Sequence, residues 1–244
     1  MNPELIWRLL DVTSLNPTDT DSDIKRLCQT AKTLFDPTDA SSHAAAVCCY
    51  PKFCALAKAE LAGCGVKVAT VVNFPDGEQD PFTVKDDIAT TIADEIDVVF
   101  AYKKFLAGDS AACMQELKSY RKAAGGRCLK VILETAAFPD AVSLRAACDL
   151  AIAAGADFLK TSTGFGPGGA SQAAVRVLLQ AIVNKDNSAQ DVGIKVSGGV
   201  KTLAKAQDFL AEISKFIAVD QIKNKKVRIG ASSLASDIIG HAAS

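Results

Sequence analysis

Histidine is scarce in this 244-residue sequence, which contains only His43 and His241, and its eight cysteines include no C-x-x-C pair. Protein zinc sites are assembled mainly from imidazoles and closely spaced thiolates. These absences argue against a metal-dependent hydrolase. The cysteines also lack the regular spacing of a small secreted domain, so we predict reduced thiols at positions 28, 48, 49, 54, 64, 113, 128 and 148.

Long apolar runs and basic clusters are missing too. No stretch reaches the ~18 consecutive apolar residues of a membrane-spanning helix, and the start MNPELIWRLLDVT has acidic residues where a secretory signal has basic ones. We therefore expect a cytoplasmic protein with no membrane partner. Lysine plus arginine number 27 against 28 aspartate plus glutamate, a balance that argues against nucleic-acid binding. The short basic stretch KNKK at residues 223–226 predicts a solvated turn before a strand.

Short apolar runs rich in β-branched residues alternate along the chain with longer segments of helical period. This alternation is typical of a parallel α/β fold. Eight strands are predicted, at residues 9–15, 45–50, 67–74, 95–101, 128–135, 156–163, 192–198 and 227–233. Eight β/α units in a chain of this length match one (β/α)₈ TIM barrel, which typically needs ~250 residues. We predict a single domain over residues 1–244.

An open doubly wound sheet is the alternative fold. Such a sheet usually carries a G-x-G-x-x-G nucleotide motif after its first strand. After Leu15 this chain reads NPTDTDSD, without glycine, so the barrel is favoured. The amphipathic segment PELIWRLL, at residues 3–10, predicts a short N-terminal helix that closes the bottom of the barrel.

Few charged residues interrupt the predicted strands near their C-terminal ends. They are Asp11, Asp97, Lys130, Glu134, Lys160 and Lys195. Charges on a fully covered strand cost much free energy to desolvate, and they rarely persist unless they are paired or used. In a (β/α)₈ barrel the active site lies at the C-terminal ends of the strands. These side chains are therefore the first candidates for catalysis, with structural ion pairs inside the barrel as the alternative.

Lys160 and Lys195 occupy similar positions in consecutive predicted strands, each a few residues before a glycine-rich turn. We expect the two lysines to face each other. Two positive charges ~5 Å apart at an effective dielectric constant of ~20 repel by ~3.3 kcal/mol, which lowers one pKa by ~2.4 units to near ~8. A neutral lysine beside another cation is a carbonyl nucleophile that forms Schiff bases. Electrostatics alone does not decide which of the two attacks.

Asp97 has the strand parity of a side chain that points into the barrel, two strands before Lys160. A carboxylate beside an ammonium group is suited to proton transfer during carbinolamine formation and carbon–carbon bond cleavage. The alternative is a buried Asp97 that is merely salt-bridged to Lys130 or Lys195. Asp11 is equally consistent with a hydrogen-bonding role in the active site and with an internal ion pair.

Three glycine-bearing turns follow the last three predicted strands, at residues 164–169, 198–199 and 230–233. Glycine lets backbone N–H groups approach an anion closely, and barrels often bind phosphate at the loops after strands seven and eight. We therefore predict a phosphate site, with Ser232 and Ser233 as further donors and Lys201 as a cation. Taken singly, each turn is equally explained by its backbone geometry.

Together these motifs resemble those of deoxyribose-phosphate aldolase, a family of class I aldolases that act through a Schiff base. The likeness rests on EIDVVFAYKKFLAG, LKVILET, ADFLKTSTGFGPGGA, VGIKVSGGV and RIGASS, and it extends to DVTSLN, AVCCYP and VATVVNFPDG in the family's order. It implies a lyase of deoxyribonucleoside catabolism that reversibly cleaves 2-deoxy-D-ribose 5-phosphate to D-glyceraldehyde 3-phosphate and acetaldehyde. The covalent group is the protein's own lysine, so the resemblance implies no cofactor and no metal.

The resemblance also implies roles for matching residues. Lys160 matches the Schiff-base lysine, Lys195 the second lysine that depresses its pKa, and Asp97 the carboxylate of the proton relay. The matching positions on the phosphate side are Gly164, Gly198, Gly199, Ser232 and Ser233, and those of the pocket lining are Asp11, Thr13, Cys48 and Lys130.

Two departures from the family pattern bear on these roles. Some members have a lysine where this chain has Phe165, so neutralisation of the phosphate rests on backbone donors and Lys201. Some members also end in a tail whose terminal tyrosine assists a proton step, whereas the last tyrosine here is Tyr120. Asp97 with water is then expected to carry the proton transfer.

Two other functions remain open at this point. The chain could be a Schiff-base aldolase or transferase for another phosphosugar, or a phosphosugar-binding protein without catalysis. Two facing lysines argue against the binding protein, because binding alone gains nothing from them. The expected partners are small phosphosugars and aldehydes, and the apolar helix faces suit a homodimer as well as intramolecular packing.

Overall fold

The structure is a computed structural model that describes residues 2–33, 39, 42–184 and 191–242. Eight parallel strands form a closed barrel in which each strand pairs with its neighbours in sequence and the last pairs with the first. They are β1 Leu10–Thr13, β2 Ala46–Cys49, β3 Lys67–Val72, β4 Glu95–Val99, β5 Cys128–Ile132, β6 Phe158–Lys160, β7 Gly193–Ser197 and β8 Val227–Ala231. The predicted (β/α)₈ barrel and its eight strands are confirmed, although each strand is shorter than predicted.

Helices follow the strands and surround the barrel. The described residues form α1 Pro3–Arg8, α2 Asp21–Thr33, α3 Cys54–Glu60, α4 Pro81–Thr90, α5 Tyr102–Leu106, α6 Ser110–Ala124, α7 Ala141–Ala153, α8 Gln172–Ile182, α9 Leu203–Ile213 and α10 Leu234–Ala242. Several begin at a side chain that accepts a hydrogen bond from the first turn, including Asp80, Asp140, Ser171 and Thr202. Such caps satisfy backbone donors that have no partner within the helix.

The outward-facing side chains of the strands form the main core against the helices, with Val47, Val98, Leu159 and Ile194 all completely buried. The inside of the barrel is divided between apolar and charged side chains. A small apolar cluster from the β1–β3 side contains Leu15, Ala46, Cys48, Ala69 and Val71. The charged side chains of β1 and β4–β8 fill the rest, so the barrel encloses a group of buried ionisable residues.

The N-terminal helix α1 lies at the N-terminal mouth of the barrel. Ile6 and Trp7 are buried, and the helix packs against α9 and α10. Leu5 and Arg8 also border a cavity of about 680 Å³ there, so the helix covers one side of this mouth.

The basic stretch at residues 223–226 precedes β8, and Lys223 and Lys225 are exposed, as predicted. His241 belongs to α10, but its side chain lies outside the described part of the chain. All eight cysteines are free thiols. Within the described ranges, no helix is long and apolar enough to span a membrane.

Candidate active site

Three lysines inside the barrel converge on the carboxylate of Asp97. The Nζ atoms of Lys160 and Lys195 lie 2.8 and 2.7 Å from its Oδ2 atom, and Nζ of Lys130 lies 2.8 Å from Oδ1. Strand register produces this arrangement, because Lys160 is the Cα partner of Lys195 and Asp97 is the partner of Lys130. The two lysines therefore lie side by side as expected. Asp97 is not paired with Lys130 or Lys195 alone but bridges all three.

A second layer of ion pairs lies towards the N-terminal end of the barrel. Arg228 donates to Oδ1 of Asp11 at 2.6 Å and to Oε1 of Glu95 at 2.7 Å. The other oxygen of Asp11 accepts from Lys195, and that of Glu95 lies 2.6 Å from Lys130. Asp11 is thus an internal ion-pair residue. Sequence reasoning missed Glu95 and Arg228, although both are charged residues at the start of predicted strands.

The two neighbouring lysines differ in their pKa shifts. Burial lowers the pKa of Lys160, and the positive charge of Lys195 lowers it further, whereas Asp97 raises it by less than these two effects together. Burial also acts on Lys195, but the carboxylates of Asp11 and Asp97 outweigh it and raise the pKa of that lysine. Lys160 is therefore the better candidate for a neutral amine. Burial is the larger cause of its shift, ahead of the repulsion predicted from the sequence.

Asp97 stays ionised beside the three lysines. Its burial alone would raise the pKa, but the charges of Lys130, Lys160 and Lys195 hold the pKa of this carboxyl well below its usual range. A carboxylate with three cationic partners can accept a proton from one of them and return it to another group without leaving the site.

A cavity of about 580 Å³ opens above this network at the C-terminal mouth of the barrel. Lys160 reaches it, with 4 % of its side chain exposed. The predicted residues that line the cavity are Thr13, Gly164, Gly198, Gly199, Lys201, Ser232 and Ser233. Gly164, Gly198 and Gly199 have φ angles of 88°, 87° and 79°, a left-handed conformation that favours glycine. The three glycine-bearing turns therefore meet at one mouth, directly above the lysine.

Three residues that the resemblance assigns to the pocket lining lie deeper than expected. Asp11, Cys48 and Lys130 are completely buried and do not line the cavity. Asp11 and Lys130 belong to the ion-pair layers beneath it, because they precede the cavity-facing ends of their strands. Burial raises the pKa of the Cys48 thiol to about 11, so this thiol stays protonated and weakly nucleophilic at neutral pH.

Glu134 supports the turn that follows Lys160. It is completely buried, and its backbone has a left-handed φ of 54°. Its carboxylate accepts hydrogen bonds from the backbone N–H of Thr163 at 3.1 Å and from the Thr163 hydroxyl at 2.5 Å. A Cβ atom on Gly166 would lie 2.5 Å from this carboxylate, so a larger residue there would force the Glu134 side chain to move. The charge in the predicted strand was noticed in the sequence, but this supporting role was not.

The rim of the cavity is partly apolar. Phe165 borders the cavity with 55 % of its surface exposed, and its ring meets that of Phe74 edge-on at 5.2 Å. Its backbone N–H donates to the hydroxyl of Thr163 at 3.0 Å. Lys201 is the exposed cation of the rim. Within the described residues, no group of three or more His, Cys, Asp or Glu side chains is arranged to hold a metal ion.

A (β/α)₈ barrel whose cavity ends on a buried lysine, with a carboxylate and a second lysine beneath it, defines an enzyme of the lyase class that works on small molecules. The family model for DeoC/LacD family aldolases matches residues 6–236. The chain belongs to this family and is an aldolase.

Solved structures agree with this assignment. A candidate deoxyribose-phosphate aldolase from Coccidioides immitis is 28% identical, with a TM-score of 0.84 over 100% of this chain and 88% of that one. A second candidate deoxyribose-phosphate aldolase, from Toxoplasma gondii ME49, is 25% identical, with a TM-score of 0.83 over 97% of this chain and 93% of that one. The deoxyribose phosphate aldolase of Aeropyrum pernix, described as a tetramer, shares the fold at 24% identity, with a TM-score of 0.74 over 100% and 93%.

Proposed function

We propose that this aldolase cleaves 2-deoxy-D-ribose 5-phosphate to D-glyceraldehyde 3-phosphate and acetaldehyde through a Schiff base on Lys160. The observation that carries the proposal is the position of Lys160. It is the lysine of the buried network that reaches the cavity, and burial together with Lys195 lowers its pKa. A desolvated lysine beside a second cation is a carbonyl nucleophile.

The first half of the reaction builds the Schiff base. The neutral amine of Lys160 attacks the C1 aldehyde of the open-chain sugar and forms a carbinolamine. Loss of water from the carbinolamine needs a proton on its hydroxyl. Lys195 lies 2.7 Å from Oδ2 of Asp97, and this same oxygen lies 2.8 Å from Lys160. A proton can therefore pass from the Lys195 ammonium through Asp97 and a water molecule to the departing hydroxyl.

The second half breaks the carbon–carbon bond. The C3 hydroxyl gives its proton, through water and Asp97, to the Lys195 amine that was left neutral in the first half, and the C2–C3 bonding pair moves into the iminium to give an enamine. D-glyceraldehyde 3-phosphate leaves. Lys195 returns this proton by the same path to C2 of the enamine, and water then adds to the resulting iminium. Acetaldehyde is released, the amine of Lys160 is restored, and the proton lost by the added water recharges Lys195. Asp97 and Lys195 return to their starting protonation states, so the cycle consumes no cofactor.

The turns above Lys160 support binding of the substrate phosphate. Gly198 and Gly199, in the turn after β7, and Ser232 and Ser233, directly before α10, line the cavity, so backbone N–H groups of this turn and of the α10 N-terminus are placed to face a phosphate. Helix N-termini attract anions through their unpaired donors and their dipole. Lys201 supplies a full positive charge at the rim.

A second candidate function is Schiff-base aldol cleavage of another phosphosugar. The residues on the phosphate side do not separate the two candidates, because the turn donors and Lys201 would bind the phosphate of either sugar. A panel of phosphorylated and unphosphorylated sugars, compared by kcat/KM, separates the two candidates. We further propose that the enzyme acts in the cytoplasm in deoxyribonucleoside catabolism and forms a homodimer.

Borohydride trapping tests the covalent step. The protein is reduced in the presence of 2-deoxy-D-ribose 5-phosphate, and intact mass followed by peptide mapping locates the stable secondary amine. We expect a single adduct on Lys160, because this amine is the neutral one that faces the cavity. An adduct on Lys195 would exchange the roles of the two lysines. No adduct from folded protein that still binds the phosphosugar would rule out the proposed mechanism.

Replacement of Ser233 by alanine tests the phosphate site. We expect KM for 2-deoxy-D-ribose 5-phosphate to rise about 10-fold with little change in kcat, because one hydrogen bond to a charged group is lost. Activity on unphosphorylated 2-deoxyribose should not change. Ser110→Ala, at an exposed serine at the start of α6, is the matched control. An equal loss on both sugars would place Ser233 away from the phosphate.

A further inference from the structure

The ion-pair network inside the barrel contains more cations than carboxylates. Each of its charged residues has no more than 5 % of its surface exposed. The cations are Lys130, Lys160, Lys195 and Arg228, and the carboxylates are Asp11, Glu95 and Asp97. If every group is ionised, the network has four positive and three negative charges. An unbalanced charge in a medium of low dielectric constant is costly, so loss of one proton from a lysine is favoured.

Two other buried titratable groups lie near Lys160 outside the ion-pair network, and one of them, Glu134, is a further carboxylate. From β2 comes Cys48, whose thiol is protonated at neutral pH because burial raises its pKa to about 11. The described residues of β3 place no charged side chain inside the barrel, since its lysine, Lys67, is exposed at the start of the strand. Glu134, at the end of β5, accepts from Thr163 and forms no ion pair with the four cations among the described contacts.

The contacts of the four cations indicate which one loses the proton. Lys130 and Arg228 each contact at least two carboxylates, and Lys195 contacts Asp11 and Asp97. Lys160 has one carboxylate partner, Asp97, which it shares with two other lysines. The guanidinium of Arg228 remains charged at all accessible pH values. Lys160 is therefore the cation that the network holds least strongly in its protonated form.

We propose that Arg228 is a positioning residue for the lysine chemistry: its guanidinium, buried at the end of the barrel opposite the cavity, adds positive charge to the network and so favours the unprotonated amine of Lys160 over its ammonium form. Glu95 opposes this effect, because it adds a negative charge to the same network. Arg228 is connected to Lys160 through Asp11, Lys195 and Asp97 in turn. The proposal rests on the proposed Schiff-base function.

The direction of each effect follows from the charge removed. Loss of the Arg228 cation makes the potential at Lys160 more negative, which favours the ammonium form and raises the pKa. Loss of the Glu95 carboxylate does the opposite. Lys160, Lys195 and Arg228 are Cα partners on three adjacent strands, which lie ~4.8 Å apart, so Arg228 is roughly 10 Å from Lys160. A unit charge at ~10 Å and an effective dielectric constant of ~20 shifts a pKa by about one unit. A merely structural role would reduce activity in both variants without moving their pH profiles in opposite directions.

The test compares Arg228→Gln with Glu95→Gln in the full-length protein. For each variant, kcat/KM and the rate of borohydride trapping at Lys160 by 2-deoxy-D-ribose 5-phosphate are measured across the pH range. In Arg228→Gln we expect the rising limb of both pH profiles to move to higher pH by about one unit. Trapping at pH 7 then slows about 10-fold, and the plateau at high pH is kept. In Glu95→Gln the rising limb should move to lower pH.

Further variants control for folding and for net charge. Arg228→Lys keeps the positive charge, and the double variant Glu95→Gln/Arg228→Gln removes both charges, so both should keep a nearly wild-type profile even if a single variant does not fold. Lys103→Gln removes a cation from an exposed ion pair with Glu78 and should leave the profile unchanged.

Three results would overturn the proposal: shifts in the same direction, no shift in folded single variants, or a moved profile in Arg228→Lys or in the double variant. Failure of the proposed function is distinguishable from these, because the wild-type protein itself would then trap no adduct on Lys160.

Discussion

Replacement of Lys160 by methionine is expected to lower kcat/KM for 2-deoxy-D-ribose 5-phosphate by about 10⁴-fold or more, because no other group forms the covalent intermediate. Methionine has a similar length and no amine. Asp97 keeps its contacts with Lys130 and Lys195 in this variant, so we expect the fold to be retained. Steady-state kinetics and borohydride trapping measure the loss, and circular dichroism checks the fold.

Lys201→Met is the matched control for this variant. Lys201 is the lysine at the rim of the same cavity, where it is placed to attract the phosphate rather than to react. We expect this change to raise KM and leave kcat nearly unchanged, since it removes binding that is equal in the ground state and the transition state. If Lys160→Met kept activity within about 10-fold of wild type, the nucleophile would be another residue, with Lys195 as the first to test.

Replacement of Asp97 by asparagine is expected to lower both activity and stability. The loss of general acid–base catalysis should lower kcat by about 10²–10⁴-fold. The three lysines around Asp97 would lose their shared carboxylate, and breaking a buried ion pair from one side typically costs ~3–5 kcal/mol of unfolding free energy. Kinetics and urea unfolding measure the two effects. Asp86→Asn, at an exposed position of α4, is the control.

The same variant should change how stability depends on acid. The pKa of Asp97 lies well below 3.8 in the folded protein, so its ionised form stabilises the fold at every pH above the unfolded value of ~3.9. This contribution is lost as the pH falls from that value towards the folded pKa. We expect the unfolding free energy of Asp97→Asn to fall less steeply below pH ~4 than that of the wild type. Equal slopes would mean that folding does not lower the pKa of Asp97.

Much of this protein was predictable from local patterns. The eight strands were found because each is a short apolar run between turn residues, and desolvation keeps charges out of such runs unless they are used. The same reasoning selected Lys160, Lys195 and Asp97, and in the structure both lysines lie within hydrogen-bond distance of the Asp97 carboxylate. The ends of the strands were predicted less accurately, because the last residues of each predicted strand already belong to the loop that follows it.

The deeper part of the site was not predictable in the same way. Glu95 and Arg228 lie at the starts of their strands. A charged residue at a strand start is as often exposed to solvent as it is buried inside a barrel, so the sequence did not single them out. Asp11 and Lys130 were assigned to the pocket lining, but the register between strands places them below it. The depth of a side chain in a barrel depends on the stagger of the strands, which no single segment contains.

Short segments of the sequence suffice to predict the barrel, the three residues at the centre of the site and the glycine turns above them, since each depends on the period and composition of one such segment. Apart from the family resemblance, the two lysines are distinguished only in the folded barrel, which lowers the pKa of Lys160 and raises that of Lys195, so that Lys160 is the better candidate for the neutral amine. That choice depends on where Asp11 and Arg228 lie relative to Lys195, and these residues belong to β1, β8 and β7. The first strand meets the last two only when the barrel closes, so the pairing of their charges is a property of the fold.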